Sequence, residues 1–245
     1  MTLTVEPVAC LSDNYLWLLK DESTGATAVC DPGEAAPALA AIEEAGGRLD
    51  LILLTHHHGD HVAGVAEVKA RYPQARIVGA AMDAQRLPPL DLAVSEGDRV
   101  TLGASAATVL HLPGHTTGHI AFHFAASEVL LCGDIIFALG SGRPLEQGGM
   151  EALYRSFQRL AKLPAGTRLC CGHEYTEANA RFALTIDPDN GALRAQAEAA
   201  AALRAAGRPT VPTRLSEELA ANPYLRAADL AEFTARREAK NNFRG

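Results

Sequence analysis

Four histidines and a carboxylate crowd into one short run, Thr55-His56-His57-His58-Gly59-Asp60-His61. Imidazole nitrogen and carboxylate oxygen are donors that zinc, iron and manganese accept, whereas a Cu(I) site would call for thiolates. In extended backbone His56 and His58 point to one side and His57 to the other. Asp60 and His61, at the entrance of the helix expected next, can aim at a neighbouring point. One loop therefore offers two pairs of ligands for two adjacent metal positions. Taken singly, Asp60 would serve as a helix N-cap and each histidine as a hydrogen-bonded structural residue. The density of the run, directly behind an apolar strand, turns the reading to metal binding.

Two ions need about eight donor positions, some of them filled by solvent. Three further segments repeat one construction, a strand followed by glycine and then a donor. They place His115 in Pro113-Gly114-His115, Asp134 in Cys132-Gly133-Asp134 and His173 in Cys171-Gly172-His173. All nine histidines lie between His56 and His173. His111 and His123 fall in strand patterns and His119 at a strand start, so structural or supporting roles are expected for them.

The elements that must position these donors alternate along the first part of the chain. Residues 3–10, 14–21 and 26–33 read as strands, the last closing in the Pro32-Gly33 turn, 34–45 as a helix stopped by Gly46-Gly47, and 49–55 as a buried strand. A helix is expected after His61 as far as Tyr72. Short strands follow near 75–79, 99–102, 107–112, 119–124 and 129–132, then a helix over 150–163 with Met150, Leu153, Phe157 and Leu160 on one face. This is an α/β layered domain. Beyond about residue 174 the strand signals stop and helical stretches take over at 174–186, 190–206, 215–220 and 227–240. The expected division is a catalytic domain over 1–173 and a helical substrate-binding domain over 174–245.

The chain has 245 residues, 48% hydrophobic and 21% charged, with a mean hydropathy of +0.01, the composition of an ordinary globular protein. No apolar run approaches the roughly 18–20 residues of a membrane span, and the N-terminus lacks the pattern of a signal peptide. A cytoplasmic monomer without a membrane partner is expected. A formal charge of −7 argues against nucleic acid. Residues 1–173 carry 12 basic against 19 acidic side chains and residues 174–245 carry 10 of each, so the excess acidity lies in the first part. The last ten residues are locally basic, with Arg236, Arg237, Lys240 and Arg244 against Glu238 alone. Cys10, Cys30, Cys132, Cys170 and Cys171 have no disulfide-framework or zinc-finger spacing and read as buried thiols.

The motifs T-H-x-H-x-D-H, P-G-H-T-x-G-H, G-D and G-H, in that order, resemble the metallo-β-lactamase superfamily over about residues 1–173. The resemblance implies an αββα sandwich with a one- or two-metal site at the strand ends, here followed by an all-helical C-terminal domain. Within that superfamily, five segments are similar to the glyoxalase II, or hydroxyacylglutathione hydrolase, family. They are Ser12-Asp13-Asn14-Tyr15, Gly140-Ser141-Gly142-Arg143, Cys171-Gly172-His173-Glu174-Tyr175-Thr176, Ala221-Asn222-Pro223-Tyr224, and Arg237 to Lys240 followed by Phe243. Leu145 departs from the aromatic residue the family often carries two positions after the basic residue of its glycine loop.

The resemblance implies that Arg143, Tyr175, Arg237 and Lys240 contact glutathione. Read as residues alone, Arg237 and Lys240 would be solvated charges near a helix C-terminus and Tyr175 a packed aromatic. Glutathione carries two carboxylates and one ammonium, so fixed cations near a metal site suit it. The implied reaction is hydrolysis of S-D-lactoylglutathione to glutathione and D-lactate by a hydroxide shared between two metal ions, the second step of methylglyoxal detoxification. His56, His58 and His115 are assigned to one ion, Asp60, His61 and His173 to the other, and Asp134 to both. Asp60 and Asp134 are the expected catalytic carboxylates. Zinc is the expected metal, and the same donors accept iron or manganese. The competing readings are a glutathione persulfide dioxygenase with one iron, a zinc-dependent nuclease, and a non-catalytic metal-binding protein.

Overall fold

The computed structural model describes residues 3–245. These form two compact units, residues 3–111 with Gly118–Gly133, and Leu112–Thr117 with Asp134–Gly245.

The first unit opens with β1 (Leu3–Cys10), β2 (Asn14–Asp21) and β3 (Ala26–Cys30), which pair antiparallel. Helix α1 (Ala35–Glu44) leads to β4 (Leu51–Leu53). Then come α2 (Gly59–Val62), α3 (Val65–Arg71), β5 (Arg76–Ala80) and β6 (Leu92–Val94). Strands β3 to β6 run parallel, completing a six-stranded sheet in sequence order. Strands β3 and β4 are buried throughout, which is why Leu51–Leu53 is wholly apolar and Ala26–Cys30 is interrupted only by Thr27, without alternation.

Ala35, Ala38 and Ile42 form the buried stripe of α1, which packs with Val65 and Val68 of α3 against Leu16, Leu18, Val29 and Ile52 of the sheet. Helix α1 stops where Gly46 and Gly47 adopt positive φ, and the Gly47 amide donates to the Ile42 carbonyl at 2.9 Å. β7 (Arg99–Leu102), β8 (Ser105–His111), β9 (Ile120–Phe124) and β10 (Val129–Gly133) make an antiparallel second layer. The Ser105 hydroxyl, donating to Asp21 Oδ2 at 2.6 Å, ties the two layers.

Two expectations change here. The helix expected after His61 is broken into α2 and α3 at Gly64, whose amide donates to the Pro32 carbonyl at 3.0 Å. A Cβ at Gly64 would lie 2.6–2.7 Å from Ala35 N, Glu34 C and Pro32 O, so the chain crosses itself there only because this residue has no side chain. Strand β6 carried no signal of its own, being a short edge with only Val94 buried.

The second unit begins its regular structure with a hairpin, β11 (Ile136–Phe137) and β12 (Gly140–Ser141), followed by α4 (Gly149–Leu160). Next are β13 (Arg168–Cys171), α5 (Thr176–Ile186), α6 (Gly191–Ala205), β14 (Thr213–Arg214), α7 (Leu215–Ala221) and α8 (Leu230–Asn242). The second half is therefore not wholly helical. β14 pairs antiparallel with β13, a two-residue strand too short to show periodicity. On α4, Leu153, Phe157 and Leu160 are buried as expected, while Met150 is half-buried and Ser156 takes a buried place. The Ser156 hydroxyl donates to the Pro113 carbonyl at 2.7 Å and so tethers the segment that carries His115. Phe157 stacks edge-on against Tyr224 and Phe233, with ring centroids 6.2 and 5.2 Å apart, which fixes α8 against α4.

Gly33 is the tightest crossing beside the donor loop. A Cβ there would stand 1.8 Å from the carbonyl oxygen of Asp60. Gly33→Ala is expected to cost about 1–3 kcal/mol through forced backbone shifts. Gly191→Ala, with nothing within 4 Å, should cost nothing measurable. Urea unfolding of the two variants beside the parent checks this, and equal midpoints for all three would show that the crossing relaxes freely.

Candidate metal and substrate site

In the first unit the parallel register sets Cys30 opposite Leu53, so the residues after β3 and β4 emerge side by side. Asp31, directly after β3, is buried with a positive φ of 53°. Its Oδ1 accepts the Thr55 amide at 2.8 Å, and its Oδ2 accepts the Thr55 hydroxyl at 2.6 Å and lies 3.1 Å from His61 Nδ1. The Thr55 hydroxyl donates its hydrogen bond to Asp31, so it meets His56 Nδ1, 3.0 Å away, with a lone pair. His56 and His61 thus hold their protons on Nδ1 and keep Nε2 as a coordinating lone pair.

His56 Nε2 lies 3.1 Å from His58 Nδ1, and the His56 and His61 ring centroids are 4.2 Å apart. Asp31, His56 and His61 each offer a donor atom within 4.8 Å of the others. Asp60 Oδ2 lies 3.7 Å from His61 Nε2 and accepts from Asn14 Nδ2 at 3.0 Å. Asp60 is not a helix cap. It sits inside α2, whose N-cap is His58. Nitrogen and oxygen donors gathered this closely, with their protons drawn to outer partners, fit a divalent cation.

His57 leaves this group. Its Nδ1 lies 3.0 Å from Asp83 Oδ2, and Arg86 Nε donates to Asp83 Oδ1 at 2.8 Å. His119 just precedes β9 and stacks on His56 with centroids 5.0 Å apart, while His111 and His123 lie in β8 and β9. Sequence reasoning missed Asp31 and the role of Asn14. Asp31 carried part of the signal of the other donors, a strand end followed at once by a carboxylate, but without the intervening glycine.

The second unit brings three predicted donors together by itself. Asp134 Oδ2 lies 3.2 Å from His173 Nε2 and 3.6 Å from His115 Nε2, all three residues being buried. His115 Nδ1 donates to the Arg143 carbonyl at 2.8 Å, which again leaves Nε2 as the coordinating nitrogen of the neutral ring. Gly114, at φ 143°, packs its Cα against the backbone of Leu153 and fixes the loop carrying His115. His173 stacks on Tyr175 with centroids 4.6 Å apart and planes 9° from parallel, and Phe137 meets both rings edge-on.

A cavity of about 340 Å³ is lined by His115 and Asp134 together with Ser141, Arg143, Tyr175, Arg237 and Lys240. Arg237 and Lys240 are one helical turn apart on α8 and share its inner face. Arg237 is buried, donating from Nη1 to the Ser141 carbonyl at 2.9 Å and from Nη2 to Asn241 Oδ1 at 3.1 Å, with its guanidinium 5.5 Å from the Tyr224 ring centre. Burial, with the nearby Arg143 charge, holds it below the usual arginine range. Lys240 Nζ donates to the Ala178 carbonyl at 2.8 Å between the rings of Phe182 and Phe243. Ser141 and Phe137 carried no donor spacing and were not singled out by the sequence. A larger cavity, about 620 Å³, lies between α6 and α7 and contains none of the predicted site residues.

Family models match the chain along nearly its whole length. Residues 13–173 match the metallo-β-lactamase superfamily and residues 174–243 the hydroxyacylglutathione hydrolase C-terminus. The chain is 54% identical to the hydroxyacylglutathione hydrolase of Cereibacter sphaeroides (strain ATCC 17025 / ATH 2.4.3), over 94% of this chain and 90% of that one. It superposes on the crystal structure of ETHE1 from Myxococcus xanthus with a TM-score of 0.74 and 25% identity, covering 98% and 92% of the two chains. It also superposes on TTHA1623 in a di-iron-bound form, with a TM-score of 0.56 and 29% identity over 69% of this chain and 91% of that one.

Burial first, and then the charges of Arg237 and Arg181, bring the Lys240 ammonium down from 10.5 to about 8. Its charge is therefore complete below pH 7 and fades as the pH rises through about 8. Affinity for glutathione, the ligand that the resemblance implies, should fall over that interval, and Lys240→Arg should remove the fall because a guanidinium stays charged. Calorimetric titration of both proteins at pH 7 and 9 is the check. Parallel pH profiles for the two would take Lys240 out of the recognition.

Proposed function

Because the chain belongs to the hydroxyacylglutathione hydrolases of the metallo-β-lactamase superfamily, we propose that it hydrolyses S-D-lactoylglutathione to glutathione and D-lactate, the second step of methylglyoxal detoxification. One observation carries this reading: the same cavity is lined by the donors His115 and Asp134 and by the cations Arg143, Arg237 and Lys240. A thioester with two remote carboxylates needs both kinds of group along its length. We assign catalysis to residues 1–173 and completion of the glutathione site to residues 174–245. The match of residues 174–243 to the hydrolase C-terminus favours this over a dioxygenase.

Two divalent ions, zinc first, are proposed as the cofactors. His56, His58 and His115 would hold one, Asp60, His61 and His173 the other, and Asp134 both. Support comes from the donor set itself, and the di-iron form of TTHA1623 shows that a similar protein binds two metal ions. When bound, such ions supply a nucleophile from water at neutral pH and polarise the thioester carbonyl.

Asp31 and Thr55 orient His56 and His61 so that the Nε2 of the neutral ring is the coordinating atom, and the Arg143 carbonyl does the same for His115. Asp134, between two imidazoles, contributes the negative charge that offsets the cations' mutual repulsion. Arg237, Lys240 and Arg143 bind the glutathione carboxylates, and Tyr175, stacked on His173, bounds the path between the two ends. The chain need not supply a general acid, because the leaving thiol has a pKa near ~8.5 and departs as thiolate. A single copy suffices for this chemistry. Five buried cysteines, all thiols, suit the reducing cytoplasm where we place the protein. No helix among the described residues is long and apolar enough to cross a membrane.

Purified protein loaded with zinc should hydrolyse S-D-lactoylglutathione without consuming oxygen, and a chelator should abolish the rate. Asp134→Ala should lose turnover together with bound metal, measured by metal analysis beside the parent. Undiminished hydrolysis with two ions retained would remove Asp134 from its shared role.

Arg237 and Lys240 bind carboxylates whose charge does not change during the reaction, so their contribution is largely uniform binding. Neutralising both should raise KM at least tenfold while kcat falls less than threefold and metal content stays level. Steady-state kinetics that leave KM unmoved would reduce the substrate to an unspecified thioester.

A further inference from the structure

The hairpin β11–β12 follows Asp134 directly and delivers Phe137, Ser141 and Arg143 to the cavity. It is very short. Two residues in each strand and a two-residue turn, Ala138-Leu139, give it almost no ladder of its own. Leu139 sits at φ 56°, a left-handed conformation that a leucine adopts only when its surroundings compel it. Such a hairpin would not hold its shape alone in water.

Its backbone is served by side chains from two helices. Glu218 Oε2, on α7, accepts the Leu139 amide at 2.8 Å. Asn222, one turn further along, donates from Nδ2 to the carbonyls of Phe137 at 3.2 Å and Gly140 at 3.0 Å, and to Glu218 Oε2 at 2.9 Å. Asn179 of α5 donates to the Ala138 carbonyl at 3.1 Å. Glu218 is itself fixed on its other oxygen, which accepts from Gln196 Nε2 at 2.7 Å and from the Thr213 hydroxyl at 2.9 Å. Glu218 and Asn222 are wholly buried. A buried carboxylate with no cation within ion-pair distance among the described residues is costly to keep unless its donors are in place, so the expense points to a purpose beyond packing.

From this geometry we infer that Glu218 and Asn222 are positioning residues for substrate binding: they clamp the β11–β12 hairpin so that Ser141 can anchor Arg237, and Arg143 and Phe137 can face the cavity. The link to Arg237 is direct, since its Nη1 rests on both the carbonyl and the hydroxyl of Ser141, at 2.9 and 3.2 Å. Neither Glu218 nor Asn222 lines the cavity. Their effect on substrate passes through the hairpin.

The kinetic arm of the test rests on the thioesterase reading, and the exchange arm does not. Glu218→Gln removes the charge from the acceptor that the Leu139 amide and Asn222 share, so the hairpin side loses acceptor strength whichever way the new carboxamide is turned. The zinc-loaded variant should show at least tenfold faster hydrogen exchange at the Leu139 amide, KM for S-D-lactoylglutathione raised about tenfold, kcat within threefold, and unchanged metal content. The exchange Gln196→Glu with Glu218→Gln places a carboxylate opposite the new amide donor, lets the carboxamide oxygen at position 218 turn back to Leu139, and should bring KM to within twofold of the parent. Thr213→Val removes a donor from the far oxygen only. It should lower thermal stability without moving KM. Should Glu218→Gln not fold, Asn222→Ala, which releases the Phe137 and Gly140 carbonyls, reads the same clamp.

A folded Glu218→Gln or Asn222→Ala protein with parental exchange and parental KM would overturn the inference, as would a Thr213→Val variant whose KM rises equally. A parent that leaves the thioester intact would sink the functional reading instead, and the exchange comparison would still decide the clamp.

Discussion

Metal ligands repel one another until the metal arrives. A site that gathers imidazole lone pairs and carboxylate oxygens must hold them by bonds made on their outer sides, and most of what surrounds the donors in this protein answers that need. Asp31 is the clearest case. Buried and in a left-handed backbone, it binds the amide and hydroxyl of Thr55 and the ring of His61, so one carboxylate sets the start of the donor loop and the tautomer of the ring at its end. The close crossing of Gly33 over Asp60, and of Gly64 over Pro32, follows from drawing the chain around that carboxylate. In the second unit the Arg143 carbonyl does for His115 what Asp31 does for His61.

The cation pocket obeys the complementary rule. Arg237 and Lys240 are drawn out of water before any ligand comes, each depressed by burial and by neighbouring positive charge, and each is held by a backbone carbonyl and aromatic faces instead of by a carboxylate. A carboxylate partner from the protein would have neutralised that charge. Carbonyl dipoles and ring quadrupoles orient the cations while leaving that charge available. The arrangement costs stability, and the aromatic cluster of Phe157, Tyr224 and Phe233 under α8 offsets it by fixing the helix that carries both residues.

Much of this was legible in the sequence because the donors are short-range features. The run from His56 to His61 announces its chemistry through residue type and spacing, and the segments around His115, Asp134 and His173 repeat one strand-glycine-donor pattern. Elements of eight or more residues were legible for a similar reason, since a buried stripe such as Ala35, Ala38 and Ile42 recurs within one helix. Illegible were β6, β14 and the break at Gly64, which depend on what lies across from them. Asp60 shows the same limit at a single residue. Its type and spacing marked it as a donor, while its bond to Asn14, forty-six positions away, left no mark in the chain.

The sequence by itself determined the class of chemistry, most of the candidate donors, and the cationic character of the tail, because charge, basicity and ligand affinity belong to side chains wherever they stand. Only the tertiary structure decided which proton each ring keeps, which cations are desolvated, and which residues hold the working ones in place. Those depend on pairs such as Asp31 with His61, Arg237 with Ser141, and Glu218 with Leu139, separated by 30, 96 and 79 positions. A hydrogen bond across such a span leaves no periodicity in the chain, and its energy exists only once folding has brought the two groups together.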